Sequence, residues 1–252
     1  MNILNIDMLK HSVILTEEEN WEVKHQILVI LAHPDDPEFF LGATISRWIK
    51  HGHSVSYLLL TKGDKGGKID TDPEELIRLR EKEQNAAAHS LGVETVMFMN
   101  NPDGYLTPGI ELRKEIVRVI RKLRPDVVVT GDPTNYFPRR GLINHPDHRA
   151  AGQVVVDAVF PAAGNYLFFP ELLEEGLEPV NLKEVWLTMP SNPNLTLDIT
   201  PYWEDKIKAL HHHASQIGEI EAFDKRLRGR HTSDSTDEVP KYEEYFYRIV
   251  FG

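Results

Sequence analysis

Short apolar runs alternate with longer amphipathic segments along roughly the first 160 residues, and this alternation limits the folds that are open to the chain. The run QILVILA at 26–32 is almost entirely apolar and has the length of a strand, which is typical of a strand buried on both faces of a sheet. Further strands are predicted at 55–60, 93–97 and 126–130, and helices at 39–51, 73–91, 110–123 and 144–159. This order predicts the α/β class, here a three-layer Rossmann-like domain with a mostly parallel sheet flanked by helices.

The remainder of the chain carries a weaker pattern. A strand is predicted at 185–189, a helix at 201–213, a polar loop at 226–240 and a closing strand at 242–251. The chain has no repeat and no low-complexity tract. We therefore expect residues 1–252 to form one domain, with a core at about 25–160 and a C-terminal extension of the same domain at 161–252.

Charge and residue types exclude several classes of function. The formal net charge is −11 and no run is rich in Lys or Arg, whereas a nucleic-acid partner requires a concentrated basic surface. The chain has no cysteine, so disulfides and thiolate ligands are excluded and any metal must be held by His, Asp or Glu. The first residues lack the apolar core of a signal peptide, and the longest apolar runs are too short to span a bilayer. We expect a cytoplasmic protein without stable membrane insertion.

Two His-Pro-Asp clusters follow predicted strands. The segment HPDDPE at 33–38 comes directly after the first strand, and NHPDH at 144–148 follows the fourth strand after a loop. Ligands of open parallel sheets bind outside the carboxyl ends of the strands. Both clusters therefore fall where this fold places a site.

The residue types in these clusters suit a hydrolytic zinc site, which needs three nitrogen or oxygen ligands, an open position for water and a carboxylate base. His33 and Asp36 stand three residues apart on a turn stiffened by proline, and His148 can supply the third ligand. Asp35 is then free to accept a proton from the activated water. His145 lies one helical turn before His148 and can stabilise an oxyanion and protonate the leaving amine, with Asp147 orienting an imidazole.

Simpler interpretations exist for each cluster. An Asn cap, an early proline and an acidic residue also form an ordinary helix N-terminus at 144–148, and 33–38 is equally compatible with an acidic helix start. Capping does not, however, require three histidines beside paired carboxylates. Two His and one Asp also form the facial triad of non-haem Fe(II) oxygenases, which we expect on antiparallel folds. A sugar- or nucleotide-binding module without catalysis is a further alternative, although no G-x-G-x-x-G motif follows the first strand and no organic cofactor site is predicted.

At these residues the sequence resembles the PIG-L/LmbE-like de-N-acetylases, a family that includes deacetylases of N-acetylglucosaminyl-phosphatidylinositol and of mycothiol and bacillithiol precursors. The likeness runs from about Ile27 to His148, with a fainter echo near the C-terminus. It is carried by AHPDD after the first strand, Thr61-x-Gly63-Asp64 after the second, Arg80-x-x-Glu83 leading to Leu91-Gly92, Pro102-Asp103-Gly104 after the third and HPDH after the fourth.

The resemblance implies a role for each matching residue. It makes His33, Asp36 and His148 the zinc ligands, Asp35 the general base, and His145 the oxyanion-stabilising and acid-supplying histidine with Asp147 as its partner. Arg80 and Asp103 fall at positions that bind substrate, and His213 matches the first residue of a C-terminal H-x-S-Q segment. Without the resemblance, these three also suit a surface cation, a turn former and a solvated helix end.

The expected activity is a zinc-dependent removal of an N-acetyl or other N-acyl group from a small amino-sugar substrate, with Fe²⁺ as a second suitable metal. The expected partner is an N-acetylated sugar or sugar conjugate, and relatives form trimers or hexamers. Ile143 stands where some relatives carry an aromatic residue, and Tyr136 is a candidate replacement. The loops at 62–71 and 134–143 and the region after Val159, which would select the substrate, carry no readable specificity pattern.

Overall fold

The computed structural model describes residues 13–15, 21–236 and 238–252. Within these residues eight strands form one sheet: β1 (Val13–Leu15), β2 (Gln26–Leu31), β3 (Ser54–Thr61), β4 (Thr95–Asn101), β5 (Val127–Gly131), β6 (Glu184–Thr188), β7 (Leu195–Asp198) and β8 (Glu243–Val250). The α-helices are α1 (Asp36–Lys50), α2 (Pro73–Leu91), α3 (Ile110–Leu123), α4 (Pro146–Asp157), α5 (Glu171–Glu174), α6 (Trp203–His211), α7 (Ala214–Ile217) and α8 (Ile220–Arg228). A π-helical turn follows α4 at Ala158–Ala163, and a 3-10 turn precedes α6 at Thr200–Tyr202.

The sheet is parallel except at one strand. Its order is β1-β7-β8-β6-β5-β2-β3-β4, and only β8 runs antiparallel to its neighbours among the described strands. β2 lies between β3 and β5, so the chain leaves β2 toward one edge and later returns to its other side. The carboxyl ends of strands at such a reversal point open onto the crevice where α/β proteins bind ligands.

Two apolar cores cover the two faces of the sheet. On one face Val29 of β2 belongs to a core with Trp48 of α1, and on the other Leu28 belongs to a core with Ile116 of α3. Helices α1, α2 and α6 cover the first face, and α3 and α4 cover the second. The predicted three-layer α/β architecture is therefore confirmed.

Most of the predicted elements are present, with shifts at their ends. Helices α2 and α3 begin and end at the predicted residues, whereas α1 begins at Asp36, three residues earlier than predicted. Strand β7 and helix α8 were not predicted, and only the end of α8, at 226–228, overlaps the segment 226–240 predicted as a polar loop. The apolar residues Phe223 and Leu227 stand four apart in α8 and are buried, while most of its other residues are charged, so its apolar stripe is narrow.

Among the described residues, no helix combines the length and the apolar character needed to cross a membrane.

Helix α1 is interrupted at Leu41, whose φ of −147° and ψ of 23° are not helical. A buried ion pair from the C-terminal part of the chain fills the break. Lys206 Nζ donates to the carbonyl of Phe39 at 2.8 Å and to Glu244 Oε1 at 2.6 Å. Glu244 Oε2 accepts the backbone N–H of Thr44 at 2.9 Å and its hydroxyl at 2.6 Å. The ion pair therefore satisfies backbone groups on both sides of the break and holds the helix that begins at the first His-Pro-Asp cluster.

We expect Glu244→Ala to lower the free energy of unfolding by about 3–5 kcal/mol, because the variant leaves the Lys206 ammonium buried without its counterion. Both side chains are 4% exposed. Urea unfolding followed by circular dichroism measures the change. Glu243→Ala, which removes a more exposed neighbouring carboxylate, is the matched control, and equal stability of the two variants would contradict the prediction.

Candidate metal centre

The two His-Pro-Asp clusters meet at the carboxyl ends of β2 and β5, which are neighbours in the sheet. His33 and Asp36 lie between β2 and the first turn of α1, and His148 lies in the first turn of α4. His33 Nδ1 is 3.2 Å from His148 Nε2 although the residues are 115 positions apart. The structure thus brings together the three side chains proposed as ligands.

The donor atoms of these side chains have the spacing of a metal site. His148 Nε2 is 3.1 Å from Asp36 Oδ1, and His33 Nδ1 is 3.5 Å from Asp36 Oδ2. Zinc–nitrogen bonds of 2.0–2.1 Å place the ligands of a tetrahedral ion about 3.3 Å apart. His148 Nε2 therefore lies at this spacing from both His33 Nδ1 and Asp36 Oδ1, whereas the contact of His33 with Asp36 is made to the second carboxylate oxygen.

Hydrogen bonds on the far side of each imidazole set its tautomer. His148 Nδ1 lies 2.9 Å from Asn144 Oδ1, which can only accept, so His148 Nδ1 carries the hydrogen and Nε2 is left with a lone pair. His33 Nε2 lies 3.0 Å from Asp103 Oδ1 and 3.4 Å from Asp147 Oδ2, so Nε2 carries the hydrogen. Nδ1 then keeps the lone pair that can bind a metal. Metal-binding histidines commonly have such carboxylate or carbonyl partners on the other nitrogen.

Asn144 was predicted to cap α4, and this prediction is wrong. The N-cap is His145, whose Nδ1 accepts the backbone N–H of Asp147 at 3.2 Å. The side chain of Asn144 is used elsewhere, because its Nδ2 donates to the carbonyl of Asn135 at 2.8 Å and its Oδ1 faces His148. The side chain of Asn144 therefore contacts the proposed ligand His148 and does not cap the helix.

The carboxylates around the site dominate its electrostatics. Burial alone lowers the pKa of His33, but its hydrogen bonds to Asp103, Asp147 and Asp36 outweigh this effect and raise the pKa to about 12. Burial would raise the pKa of Asp36, yet the neighbouring His148 and His33 hold it well below the usual range. This part of the site strongly favours a positive charge between these side chains, which is the requirement for holding a cation.

Asp35 lines the cavity over the site on a strained turn. Burial and then the charge of Asp36 raise its pKa well above the usual value of a carboxyl group. Its φ of 92° places it in the left-handed region, which is uncommon for a residue with a side chain. The backbone N–H of Asp35 donates to Gln84 Oε1 at 2.7 Å, and this bond helps to hold the strained turn.

A buried hydrogen-bond network lies behind Asp35. Gln84 Nε2 donates to both oxygens of Glu38 at 3.0 and 3.1 Å, and Glu38 Oε2 is 3.1 Å from His213 Nε2. Glu38, Gln84 and His213 are each 0% exposed. His213 is therefore placed beneath the site rather than in its wall, while Gln216 of the same H-x-S-Q segment lines the cavity. No role for Gln84 or Glu38 is predicted from the sequence, because their link to Asp35 depends on the packing of α1, α2 and the C-terminal region.

His145 stands beside the three proposed ligands. Its ring centroid is 4.6 Å from that of His33, and its Nε2 is 4.0 Å from Asp103 Oδ1. Since Nδ1 accepts the backbone N–H of Asp147, the neutral ring carries its hydrogen on Nε2, which is free to donate. Burial, followed by the charges of His33 and His148, lowers the pKa of His145.

Asp147 makes contacts that differ from those expected. It reaches His145 through its backbone N–H, while its carboxylate accepts the N–H groups of Gly104 at 2.7 Å and Leu106 at 3.2 Å and faces His33. Ring nitrogens of His33, His145 and His148 lie within 4.8 Å of one another, and so do single donor atoms of His33, Asp103, His145 and Asp147. His145 is thus an alternative ligand by proximity alone.

Arg80 and Asp103 both line the cavity over the site. Arg80 is 7% exposed and donates to the carbonyls of Gly63 at 2.7 Å and Gly66 at 3.4 Å, so it is not a surface cation. A Cβ at Gly63 would lie 2.3 Å from Arg80 Nη1, which explains glycine there. Asp103 accepts from His33 and donates its backbone N–H to Asp64 Oδ1 at 2.8 Å, which ties two loops to the site.

Two adjoining cavities open at the metal centre. One of about 330 Å³ contains His33, Asp35 and Asp36 in its wall, and a larger one of about 590 Å³ shares Phe39, Phe40, His145 and His148 with it. Ile143 lines the larger cavity. Tyr136 lines neither of these cavities, and its ring lies 4.4 Å from the Arg149 guanidinium.

Comparison with known proteins identifies the group to which this site belongs. A family model described as GlcNAc-PI de-N-acetylase matches residues 28–159, which is more than half of the chain. The chain is 39% identical over 198 residues to diacetylchitobiose deacetylase from Thermococcus kodakarensis, covering 77% of this chain and 71% of the relative. It is 29% identical over 203 residues to the probable N-acetyl-α-D-glucosaminyl L-malate deacetylase 2 of Bacillus anthracis, covering 77% and 82%.

A solved structure gives the same result. N,N′-diacetylchitobiose deacetylase from Pyrococcus horikoshii, in complex with an inhibitor, superposes with a TM-score of 0.79 at 30% identity and covers 89% of this chain and 84% of that one. The matched span includes both His-Pro-Asp clusters, and the described structure brings their side chains into one cluster suited to a metal. The chain therefore belongs to the GlcNAc-PI de-N-acetylase (PIG-L) family of metal-dependent deacetylases.

Proposed function

We propose that this enzyme is a zinc-dependent hydrolase that removes the N-acetyl group of an N-acetylglucosamine conjugate. The observation that carries the proposal is the convergence of His33, Asp36 and His148: His33 Nδ1 is 3.2 Å from His148 Nε2, His148 Nε2 is 3.1 Å from Asp36 Oδ1, and His33 Nδ1 is 3.5 Å from Asp36 Oδ2. The carboxylate of Asp35 lines the same cavity. The names of the relatives support the substrate class, because they act on N-acetylated amino sugars.

His33, Asp36 and His148 would hold the metal. All three donate nitrogen or oxygen, which suits zinc and also iron, and His148 Nε2 lies at the tetrahedral zinc spacing from His33 Nδ1 and Asp36 Oδ1. When bound, zinc supplies Lewis-acid polarisation of the amide carbonyl and activates water for attack. Asn144, Asp103 and Asp147 keep the two imidazoles in the tautomers that leave a lone pair toward the ion.

Asp35 and His145 then carry out the proton chemistry. Asp35 accepts the proton of the attacking water as the new C–O bond forms. His145 Nε2–H donates to the carbonyl oxygen while negative charge develops on it. Asp35 returns its proton to the amide nitrogen as the C–N bond breaks, which yields acetate and the free amine. His145 can supply that proton in place of Asp35 only when its ring is protonated on both nitrogens, because a neutral ring would be left as an imidazolate.

The remaining residues of the site bind or position. We assign Asp103 and Arg80 to the sugar, since both line the cavity above the proposed ligands. His213 is 0% exposed, so it contributes by holding Glu38 and, through Gln84, the turn of Asp35. Residues 1–252 as one deacetylase domain, and a trimer or hexamer in solution, stay predictions that light scattering and limited proteolysis can check.

The test is release of amine and acetate from N-acetylglucosamine and its conjugates. We expect no turnover after exhaustive chelation, and recovery on addition of one equivalent of Zn²⁺, because no described residue replaces the metal as the activator of water. The assay is run with and without oxygen, since undiminished anaerobic turnover excludes an oxygenase. If no N-acetylated sugar releases acetate from the zinc-loaded protein, the proposed activity is wrong.

A further inference from the structure

The cavity of about 590 Å³ beside the metal centre has a cationic part that the proposed chemistry does not use. Arg139 and Arg230 both line it. Among the residues that the structure describes, neither guanidinium has a hydrogen bond or an ion pair to a carboxylate. Both arginines are exposed at the mouth of the cavity, in a chain that has 39 acidic and 28 basic residues.

The two glutamates of the cavity wall contact other residues, and Glu243 keeps its negative charge. Glu244 is neutralised by Lys206 at 2.6 Å, and Glu243 Oε2 accepts the hydroxyl of Tyr245 at 2.6 Å. Within the described part of the chain neither glutamate forms a hydrogen bond or an ion pair with Arg139 or Arg230, so the guanidinium donors stay available. Burial, followed by the charges of Arg139 and Arg226, lowers the pKa of Arg230.

The loop that carries Arg139 is fixed to the metal centre. Residues Arg139–Leu142 form a tight turn in which the N–H of Leu142 donates to the carbonyl of Arg139 at 3.1 Å. The loop is closed by Asn144, whose backbone N–H donates to the carbonyl of Tyr136 at 2.9 Å and whose side chain holds His148. Arg139 is therefore placed relative to the metal centre by a short stretch of hydrogen-bonded chain.

The wall beside the arginines is apolar. Phe39, Phe40, Leu142, Ile143 and Met189 line the same cavity. Apolar surroundings reduce the screening of a charge pair, so an anion there interacts more strongly with guanidinium groups than it would on an open surface. Two arginines also offer the planar donor pairs that recognise carboxylate and phosphate oxygens.

We propose that the larger cavity binds an anionic group, a carboxylate or a phosphate, carried by the amino-sugar conjugate whose N-acetyl group lies at the metal. The proposal rests on the proposed deacetylase function and adds a preference for anionic conjugates over neutral ones. Arg139 and Arg230 are its specificity-determining residues.

The experiment compares three substrates that share one sugar: the methyl glycoside of N-acetylglucosamine, N-acetylglucosamine 1-phosphate and N-acetylglucosaminyl malate. With the zinc-loaded protein we expect kcat/KM to be about tenfold or more higher for at least one anionic substrate than for the methyl glycoside, the gain of one charge-assisted hydrogen bond. The difference should shrink as KCl is raised, because salt screens the pairing. The phosphate and malate arms tell which anion is preferred.

Arg139→Gln and Arg230→Gln should remove this preference by raising KM for the anionic substrate, while turnover of the methyl glycoside is retained. Arg140→Gln is the matched control, because Arg140 is the next residue, is exposed and does not line this cavity. Equal kcat/KM on all three substrates, or an equal loss on neutral and anionic substrates in the arginine variants, overturns the anion site. Absence of acetate release from every substrate instead overturns the deacetylase function itself.

Discussion

Asp35→Asn is expected to lower kcat by about 10²–10⁴-fold, the usual contribution of a general base, while the metal content stays near one ion per chain. The physical reason is that asparagine cannot accept the proton of the attacking water, although it has nearly the same size. Asparagine also tolerates the left-handed backbone that Asp35 adopts with a φ of 92°. Steady-state kinetics and metal analysis of the same preparation measure both quantities.

Asp35→Ala provides the control for folding. Alanine removes the same carboxylate but is strained at positive φ, so this variant should also lose thermal stability, whereas Asp35→Asn should keep it. A loss of activity shared by both variants, with a loss of stability confined to alanine, separates the chemistry from the backbone. Full activity of Asp35→Asn would remove the assignment of Asp35 as the base.

The second large effect concerns the metal itself. His148→Ala should reduce bound zinc to background and abolish turnover, because only two of the three proposed donors remain. Asn144→Ala should weaken zinc binding by about 10–100-fold, since it removes the hydrogen bond that holds His148 in its metal-binding tautomer. Competition with a chromophoric chelator gives the affinities, and metal analysis gives the occupancy.

His145→Ala is the matched control for the metal-ligand prediction, because His145 lies at the same helix start and within 4.8 Å of the other ring nitrogens. If the ligands are His33, Asp36 and His148, this variant binds zinc normally and loses only turnover. Loss of zinc in His145→Ala together with zinc retention in His148→Ala would mean that the ligand set has been assigned to the wrong histidine.

The parts of the fold and site that could be predicted are those that depend on a few neighbouring residues in the sequence. The apolar run of β2, the Asp72-Pro73 start and Gly92 end of α2, and the two His-Pro-Asp clusters each act over a few positions. Once the sheet is parallel, the carboxyl ends of β2 and β5 must lie at the same edge, which brings His33 and His148 together.

The parts that could not be predicted depend on partners distant in sequence. Glu38 and His213 are 175 positions apart and form a hydrogen bond only because α1 packs beside the C-terminal helices. Asn144 satisfied every local criterion of a cap, yet the backbone N–H of Asp147 is taken by His145 instead. Local propensity shows which hydrogen bonds a side chain can form. Tertiary packing determines which of several possible acceptors receives a given N–H group.

The break in α1 at Leu41 lies just after the turn of Asp35, and the residues that close it lie far outside the span matched by the family model. The family match ends at residue 159, but the groups that close the break are Lys206 and Glu244, and the group that holds Glu38 is His213. A chain shortened to its first 159 residues would keep every proposed ligand but lose the contacts of Lys206, Glu244 and His213 that hold α1 and Glu38 in place. Substitution in the last third of this chain is therefore restricted at Lys206, Glu244 and His213, which must keep these contacts even where nearby surface residues are free to change.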